Sequence, residues 1–238
     1  MSGEVMASSG TEQVRTRLAL ALDVDDLVEA LRLARLLHPW FGVAKVGLEL
    51  YSAAGPDAIG GLVDAGFDVF VDLKLLDIPT TVRRASRVLG SLGARYLTLH
   101  ARGDATMLRA GVEGLHEGAA AAGLAAPYPL AVTVLTSDDT APEHIVPHRI
   151  ALAVETGCAG VVCAAADVRQ AKVLAPRLLA VVPGIRPAGS ATHDQARAAT
   201  PRQALDAGAD LLVVGRAVTA APDPVAAAVA LAEELTRP

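Results

Sequence analysis

Three ionisable residues fall within the six positions Asp72-Leu73-Lys74-Leu75-Leu76-Asp77. Asp72 and Lys74 stand two apart, so an extended strand would carry both side chains on one face. In a strand covered outside by apolar helices, an outward charge would be buried without a partner, at a cost of several kcal/mol. An inward pair at the open end of a sheet costs less and can act on a ligand. The same two residues also read as a structural ion pair closing a strand. Lys45 lies in Ala44-Lys45-Val46-Gly47, where apolar neighbours make a surface lysine hard to explain. With Asp77 it makes two lysines and two aspartates that could converge at one strand end. Such an array keeps its members ionised and is suited to proton transfer. Asp23 ends the run LALALD as a further acid, either a helix N-cap or a ligand contact.

A second group of residues suits phosphate. Gly215 and Arg216 follow the apolar run LLVV, and Gly184 and Arg186 follow LAVVP. Glycine turns leave backbone N–H groups open to an anion, a helix N-terminus favours its charge, and arginine pairs with it in bidentate fashion. Each glycine alone is also an ordinary turn. His100 ends the run YLTLH as either a ligand contact or a structural histidine. Cys158 and Cys163 read as small apolar packing residues. No His and Cys spacing resembles a zinc site, and Lys74 inside Asp-x-Lys-x-x-Asp would oppose a divalent cation. No metal is expected.

These residues need a frame that delivers them to one place. Short apolar runs recur at 18–22, 43–47, 69–74, 96–100, 130–135, 160–164, 179–184 and 211–215, each reading as a strand. Segments of helical spacing separate them, with Asp25, Thr80, Asp104 and Asp223 where N-caps are expected. Strands apolar on both faces and alternating with helices imply a parallel sheet with right-handed crossovers. Eight such units in a chain of 238 residues predict an α/β fold of one (β/α)8 (TIM) barrel, a size such barrels commonly have. A doubly wound open sheet is the competing architecture, because periodicity does not reveal closure. The connection from Pro183 to about Thr200 is the longest and, with Gly184, Gly189 and Ser190, is flexible enough to be a lid. Residues 1–16 are expected to be a polar tail and 17–238 the barrel.

Composition removes several classes of function. Twenty-one Lys and Arg against 26 Asp and Glu give a net charge of −5, with no footprint for nucleic acid or an anionic membrane. Apolar runs are cut by Pro, Gly or charge before reaching about 18 residues, so no membrane span is expected. Two cysteines are too few for a disulfide framework, and the first residues resemble neither a signal nor a transit peptide. A reducing, cytoplasmic setting follows as the expectation.

The segment from Asp72 to Thr81, DLKLLDIPTT, resembles the signature of the orotidine 5′-monophosphate decarboxylase family, and the similarity runs from LALDVDD to VVGRAVTAAPDP. Asp-x-Lys-x-x-Asp is shared across a suprafamily; Ile78 with Pro79, Lys45, and PGIRP followed by HDQARAATP favour the nucleotide enzyme. The resemblance implies cofactor-free conversion of orotidine 5′-phosphate to UMP and CO2 in pyrimidine synthesis. It makes Lys74 the proton donor to C6, sets Asp72 against the departing carboxylate, and has Lys45 and Asp77 complete the array. It further implies a homodimer in which Asp77 serves the partner subunit's site. Asp23 and Lys45 would contact the ribose, and Ile78 and Thr81 would be substrate-binding residues, Thr81 at the shared edge. Thr136, with Ser137 beside it, would lie near the pyrimidine. Arg186, Gln195, Gly215 and Arg216 would hold the phosphate. The alternative is a metal-dependent sugar-phosphate decarboxylase or aldolase of the same suprafamily, which carries an acid where this chain has Lys45.

Overall fold

The structure is a computed structural model that describes residue 12 and residues 14–138, 140–186 and 199–236. Eight parallel strands pair in sequence order: β1 (Leu18–Ala21), β2 (Val43–Val46), β3 (Asp68–Leu75), β4 (Ala94–His100), β5 (Tyr128–Val132), β6 (Gly160–Val162), β7 (Leu179–Val182) and β8 (Leu211–Val214). The sheet closes, with β8 beside β1 through Leu20 opposite Val214, so the architecture is the (β/α)8 barrel and not the open sheet.

Burial on two faces explains the near-continuous apolar strands. Ala19, Ala21, Val43, Phe70, Leu130, Val132, Val162, Val181, Leu211 and Val213 fill the barrel interior as one cluster, with Tyr96 and Tyr128 packed against it. Their neighbours Leu18, Leu20, Ala44, Val46, Val69 and Val71 belong to the larger core shared with the helices. Alternation along each strand therefore sorts residues between two dry environments.

The helices are α1 (Leu27–Leu37), α2 (Leu48–Ala54), α3 (Pro56–Asp64), α4 (Pro79–Ser91), α5 (Ala105–Ala121), α6 (Ile145–Thr156), α7 (Val168–Leu174), α8 (Pro201–Asp206), α9 (Arg216–Thr219) and α10 (Pro224–Thr236). Asp104 and Asp223 cap as expected, accepting from Met107 N at 2.7 Å and from Ala226 N at 3.0 Å. Two expected caps are displaced. Asp26, not Asp25, caps α1 by accepting from Glu29 N at 2.9 Å. Helix α4 starts at Pro79, whose fixed φ suits the first helical position, so Ile78 and not Thr80 stands at its cap.

The fifth strand lies earlier than its apolar run suggests. Pro129 sits inside it, and although it offers no N–H its carbonyl still accepts from Ala159 N at 2.8 Å. Stacking of Tyr128 on Tyr96, with centroids 5.1 Å apart, anchors the strand's first residue. At the N-terminal side, Val14 is buried in the core and Arg15 Nε donates to His38 O at 3.1 Å, so packed chain reaches back beyond residue 17.

Helices α4 and α5 approach until their backbones touch. A Cβ on Gly118 would overlap the carbonyl oxygen of Arg87, one on Gly114 that of Arg83, and one on Gly90 that of Leu115. This contact fixes the helix that follows the charged segment of β3. Gly118→Ala should therefore destabilise the fold although alanine is the better helix former by about 1 kcal/mol. Overpacking against an immovable carbonyl costs about 1–3 kcal/mol, and the net effect is a Tm lowered by a few degrees. Thermal unfolding followed by circular dichroism checks this; a raised Tm would contradict the contact.

Candidate active site

The parallel arrangement brings the C-terminal ends of all eight strands to one mouth, where a cavity of about 220 Å³ opens above the apolar interior. Asp23 follows β1, Lys45 stands in β2, and Asp72 and Lys74 lie near the end of β3; all four line the cavity. Lys45 Nζ is 3.2 Å from Asp23 Oδ1 and 3.8 Å from Asp72 Oδ2, and Lys74 Nζ is 2.9 Å from Asp72 Oδ1. Lys45 is 8% exposed, a burial that a lysine tolerates only beside anions. Gly47 leaves room for this pair, since a Cβ there would stand 2.9 Å from Lys45 Nζ.

Strict strand alternation is not what joins Asp72 to Lys74. The register runs Val71 opposite Leu97 and then Leu75 opposite Leu99, so β3 bulges across Asp72, Leu73 and Lys74. Lys74 has φ of 51°, the one positive φ outside glycine among the described residues. Left-handed backbone costs a residue with a Cβ about 1–2 kcal/mol, and this strain is stored where the chemistry would occur. Thr98, fully buried in β4, bridges the bulge: its Oγ1 accepts from Lys74 N at 2.8 Å and donates to Asp72 Oδ1 at 3.0 Å.

Burial alone would raise the Asp72 carboxyl. The Lys45 and Lys74 cations, with hydrogen bonds from Lys74 and Thr98, outweigh it and hold the group below the usual aspartate range. Asp72 is therefore an anion held between two cations at neutral pH. His100 titrates low, first because it is buried and then because Arg149, Arg102 and Lys74 are near; its Nδ1 accepts from Arg102 N at 3.2 Å. Both cysteines are buried and outside any disulfide, and burial pushes the Cys158 thiol up to about 11, which leaves it inert at neutral pH.

Thr136, Gly184, Arg186, Gly215 and Arg216 also line the cavity. Gly184 turns with φ of 77°, and Arg186 N donates to Ala199 O at 3.0 Å, which fixes the chain just after β7. Gly215 caps α9, whose first residue is Arg216. Asp77, Ile78, Thr81 and Ser137 do not join the lining. All four are exposed, and the Asp77 carboxylate accepts from Ile78 N at 2.6 Å. Asp77 therefore stands apart from the array within its own chain, contrary to the expected convergence of all four charged residues, because the chain turns outward after Leu75 to enter α4. Gln195 and most of the long connection after β7 lie outside the described residues. Thr98 and Gly47 were not singled out from sequence. The signal for Thr98 was a hydroxyl two positions before His100 in an otherwise apolar strand.

Among the described residues, no three His, Cys, Asp or Glu side chains are grouped to hold a metal ion, and no helix is long and apolar enough to cross a membrane. Comparison with known proteins gives a consistent result. Residues 16–231 match the family model for the orotidine 5′-phosphate decarboxylase/HUMPS family. Orotidine 5′-phosphate decarboxylase of Anaeromyxobacter dehalogenans is 46% identical over 230 residues, 92% of this chain and 98% of its own. That of Moorella thermoacetica is 44% identical over 233 residues, 93% of this chain and 92% of its own. The crystal structure of orotidine 5′-phosphate decarboxylase from Lactobacillus acidophilus matches with a TM-score of 0.77 at 33% identity, covering 93% of this chain and 100% of that one.

The electrostatics of Asp72 set a pH dependence. A carboxyl whose folded pKa is depressed contributes stability above its unfolded pKa, about 3.9, and loses it as pH falls through the lower folded value. Asp72→Asn should cost about 1–3 kcal/mol at pH 7, since it leaves the two ammonium groups without their shared anion. The gap to the wild type should narrow well below pH 4. Urea unfolding at neutral and acid pH measures both; a gap that ignores pH would mean that Asp72 is not ionised in the folded protein.

Proposed function

The chain belongs to the orotidine 5′-phosphate decarboxylase/HUMPS family, and on that premise we propose how its site acts as a carboxy-lyase that converts orotidine 5′-phosphate to UMP and CO2 in pyrimidine biosynthesis. The observation that carries the reading is the Lys45–Asp72–Lys74 array, with Asp72 3.8 Å from one ammonium and 2.9 Å from the other, lining a cavity that Gly215 and Arg216 also line.

The phosphate is held by Arg216, Arg186 and the Gly215 turn, with Gln195 contributing from the connection after β7. The ribose lies against Asp23 and Lys45, and the pyrimidine near Thr136 and Ser137. This orientation sets the substrate carboxylate beside Asp72. Like charges about 4 Å apart at an effective dielectric near 20 repel by about 4 kcal/mol, a repulsion that is relieved as CO2 leaves. The bond from C6 to the carboxylate carbon breaks, its electron pair stays on C6, and the Lys74 ammonium stabilises that charge and then gives C6 a proton. Solvent returns the proton to Lys74. A cation already fixed by Asp72 needs no reorganisation at that moment, which makes it the larger contribution. Holding the remote phosphate orients the reacting carbon. No cofactor enters these steps. Lys45 occupies the β2 position from which the metal-dependent relatives offer an acid.

Asp77 is assigned to the partner subunit's site in a homodimer. Its exposure outside its own cavity supports this, as does the exposure of neighbouring Leu76 and Ile78 at 48% and 66%. Ile78 and Thr81 border the same shared edge. The cytoplasm is the setting that suits two buried cysteines outside any disulfide.

The assignment is tested by the ultraviolet absorbance change of orotidine 5′-phosphate on adding purified protein. Turnover should be unaffected by EDTA; loss with the chelator would instead favour the metal-dependent relatives. Lys74→Ala should fold and bind UMP while kcat falls by about a thousandfold or more. Unchanged kcat would remove Lys74 as proton donor.

Sharing of Asp77 has its own test. Lys74→Ala and Asp77→Ala proteins, each nearly inactive, are unfolded together and refolded as a mixture. Random pairing should restore activity to about a quarter of the wild-type level, because half the dimers then contain one intact site. No recovery would place Asp77 in its own subunit's site.

A further inference from the structure

The bulge in β3 creates a local problem that a single side chain resolves. Between Val71–Leu97 and Leu75–Leu99 the third strand spends three residues where the fourth spends only Thr98, so the ladder cannot pair every backbone group there. The N–H of Lys74 faces this gap in the barrel wall, where an unpaired donor is costly. Thr98 Oγ1 accepts it at 2.8 Å. The hydroxyl's one proton goes to Asp72 Oδ1 at 3.0 Å, and the same oxygen accepts from Lys74 Nζ at 2.9 Å. The result is a closed ring: backbone N–H of Lys74 to Thr98, Thr98 to Asp72, and Asp72 to the ammonium of Lys74.

We propose that Thr98 is a positioning residue for the decarboxylation assigned above: its buried hydroxyl pins Lys74 in the left-handed backbone conformation that aims the ammonium at Asp72 and at the reacting carbon. This inference rests on that reaction. Lys74 is the one non-glycine residue with positive φ among the described residues, and Thr98 supplies the hydrogen bond that holds its amide there. Without the hydroxyl the Lys74 N–H loses its partner and Asp72 loses a donor, so the backbone is released toward the ordinary extended region. The Cβ of Lys74 then swings away from the mouth and takes the ammonium with it. Branching at Cβ restricts the Thr98 rotamer, while the hydroxyl makes both bonds. Thr98 itself does not line the cavity, so it acts through Lys74 and Asp72 and not by touching substrate.

The test uses the full-length enzyme with Thr98→Val, which keeps the shape and removes the hydroxyl, and Thr98→Ser, which keeps the hydroxyl. Steady-state kinetics with orotidine 5′-phosphate, calorimetric titration with UMP and a thermal melt are measured for each. In Thr98→Val, kcat should fall by about 10- to 100-fold, the scale of a misplaced reacting group, while KM and the UMP Kd stay within about threefold of wild type. Thr98→Ser should recover most of kcat. If valine prevents folding, Thr98→Ala, which cannot overpack, is judged by the same criteria. Wild-type kcat in the hydroxyl-free variant overturns the proposal, as does a serine variant no better than valine. UMP affinity falling in step with kcat also overturns it, because the residue would then be merely structural. A folded wild-type protein that does not turn over orotidine 5′-phosphate overturns the reaction assignment itself, a distinguishable result, and this inference with it.

Discussion

One carboxylate organises the mouth of the barrel. Asp72 is largely withdrawn from water, and an isolated anion there would protonate and lose its use. It stays charged because Lys45 and Lys74 approach it from two strands and Thr98 donates to it from a third. The dependence is mutual, since each ammonium is tolerated in the barrel wall only because Asp72, or Asp23 beside Lys45, is there. At Asp72 attraction to the two ammonium groups and the hydrogen bonds outweigh the cost of burial, and their fixed directions set the geometry. None of the charges can move far without stranding another.

The fold supplies what this arrangement needs. Parallel strands place all their C-terminal ends together, so residues distant in sequence become neighbours without any long-range chain search beyond barrel closure. Beneath them, Phe70, Val132, Val162 and Val213 form a dry floor that excludes water from below and keeps the local dielectric low. The β3–β4 ladder shifts register twice, between Val69 and Phe70 and again across residues 72–74, and it is at the second shift that β3 gives up ladder hydrogen bonds and accepts a left-handed lysine. A barrel with a large two-layer core can absorb strain of about 1–2 kcal/mol at one residue.

The barrel was legible because burial on both faces of every strand leaves eight separate apolar runs, and Asp72, Lys74, Lys45 and Asp23 stood out as charges those runs could not explain. Closure of the sheet was not legible, since an open sheet buries its strands in the same way; the pairing of β1 with β8, from Leu18 opposite Leu212 to Leu20 opposite Val214, decides it. The route by which Asp72 meets Lys74 was hidden too. Alternation by two would bring them to one face, but the bulge changes the local geometry, and register slips have no local sequence mark. Thr98 escaped notice for a related reason: one hydroxyl in an apolar strand reads as a tolerated residue until its partner on the next strand is known.

In the proposed reaction, two groups of residues at the mouth divide the work by the kind of force each uses. Gly184 and Arg186 follow β7, and Gly215 and Arg216 follow β8, where a phosphate would meet backbone dipoles and arginine forks that tolerate small shifts of the ligand. Lys45, Asp72 and Lys74 sit on β2 and β3, inside the wall, where cross-strand ion pairs and Thr98 leave little freedom. On that proposal, binding energy would be gathered where the protein can adapt, and the reacting carbon would be set against groups that cannot. Such a separation lets a remote, chemically inert phosphate contribute to a step it takes no part in, since every contact that fixes its position also fixes the distance from C6 to the Lys74 ammonium. The strained backbone at Lys74 belongs to the same logic. As the proposed proton donor, Lys74 is held by an unfavourable φ, a buried hydroxyl and a carboxylate, and a site proposed to meet a short-lived carbanion would gain more from that single position than from a relaxed strand.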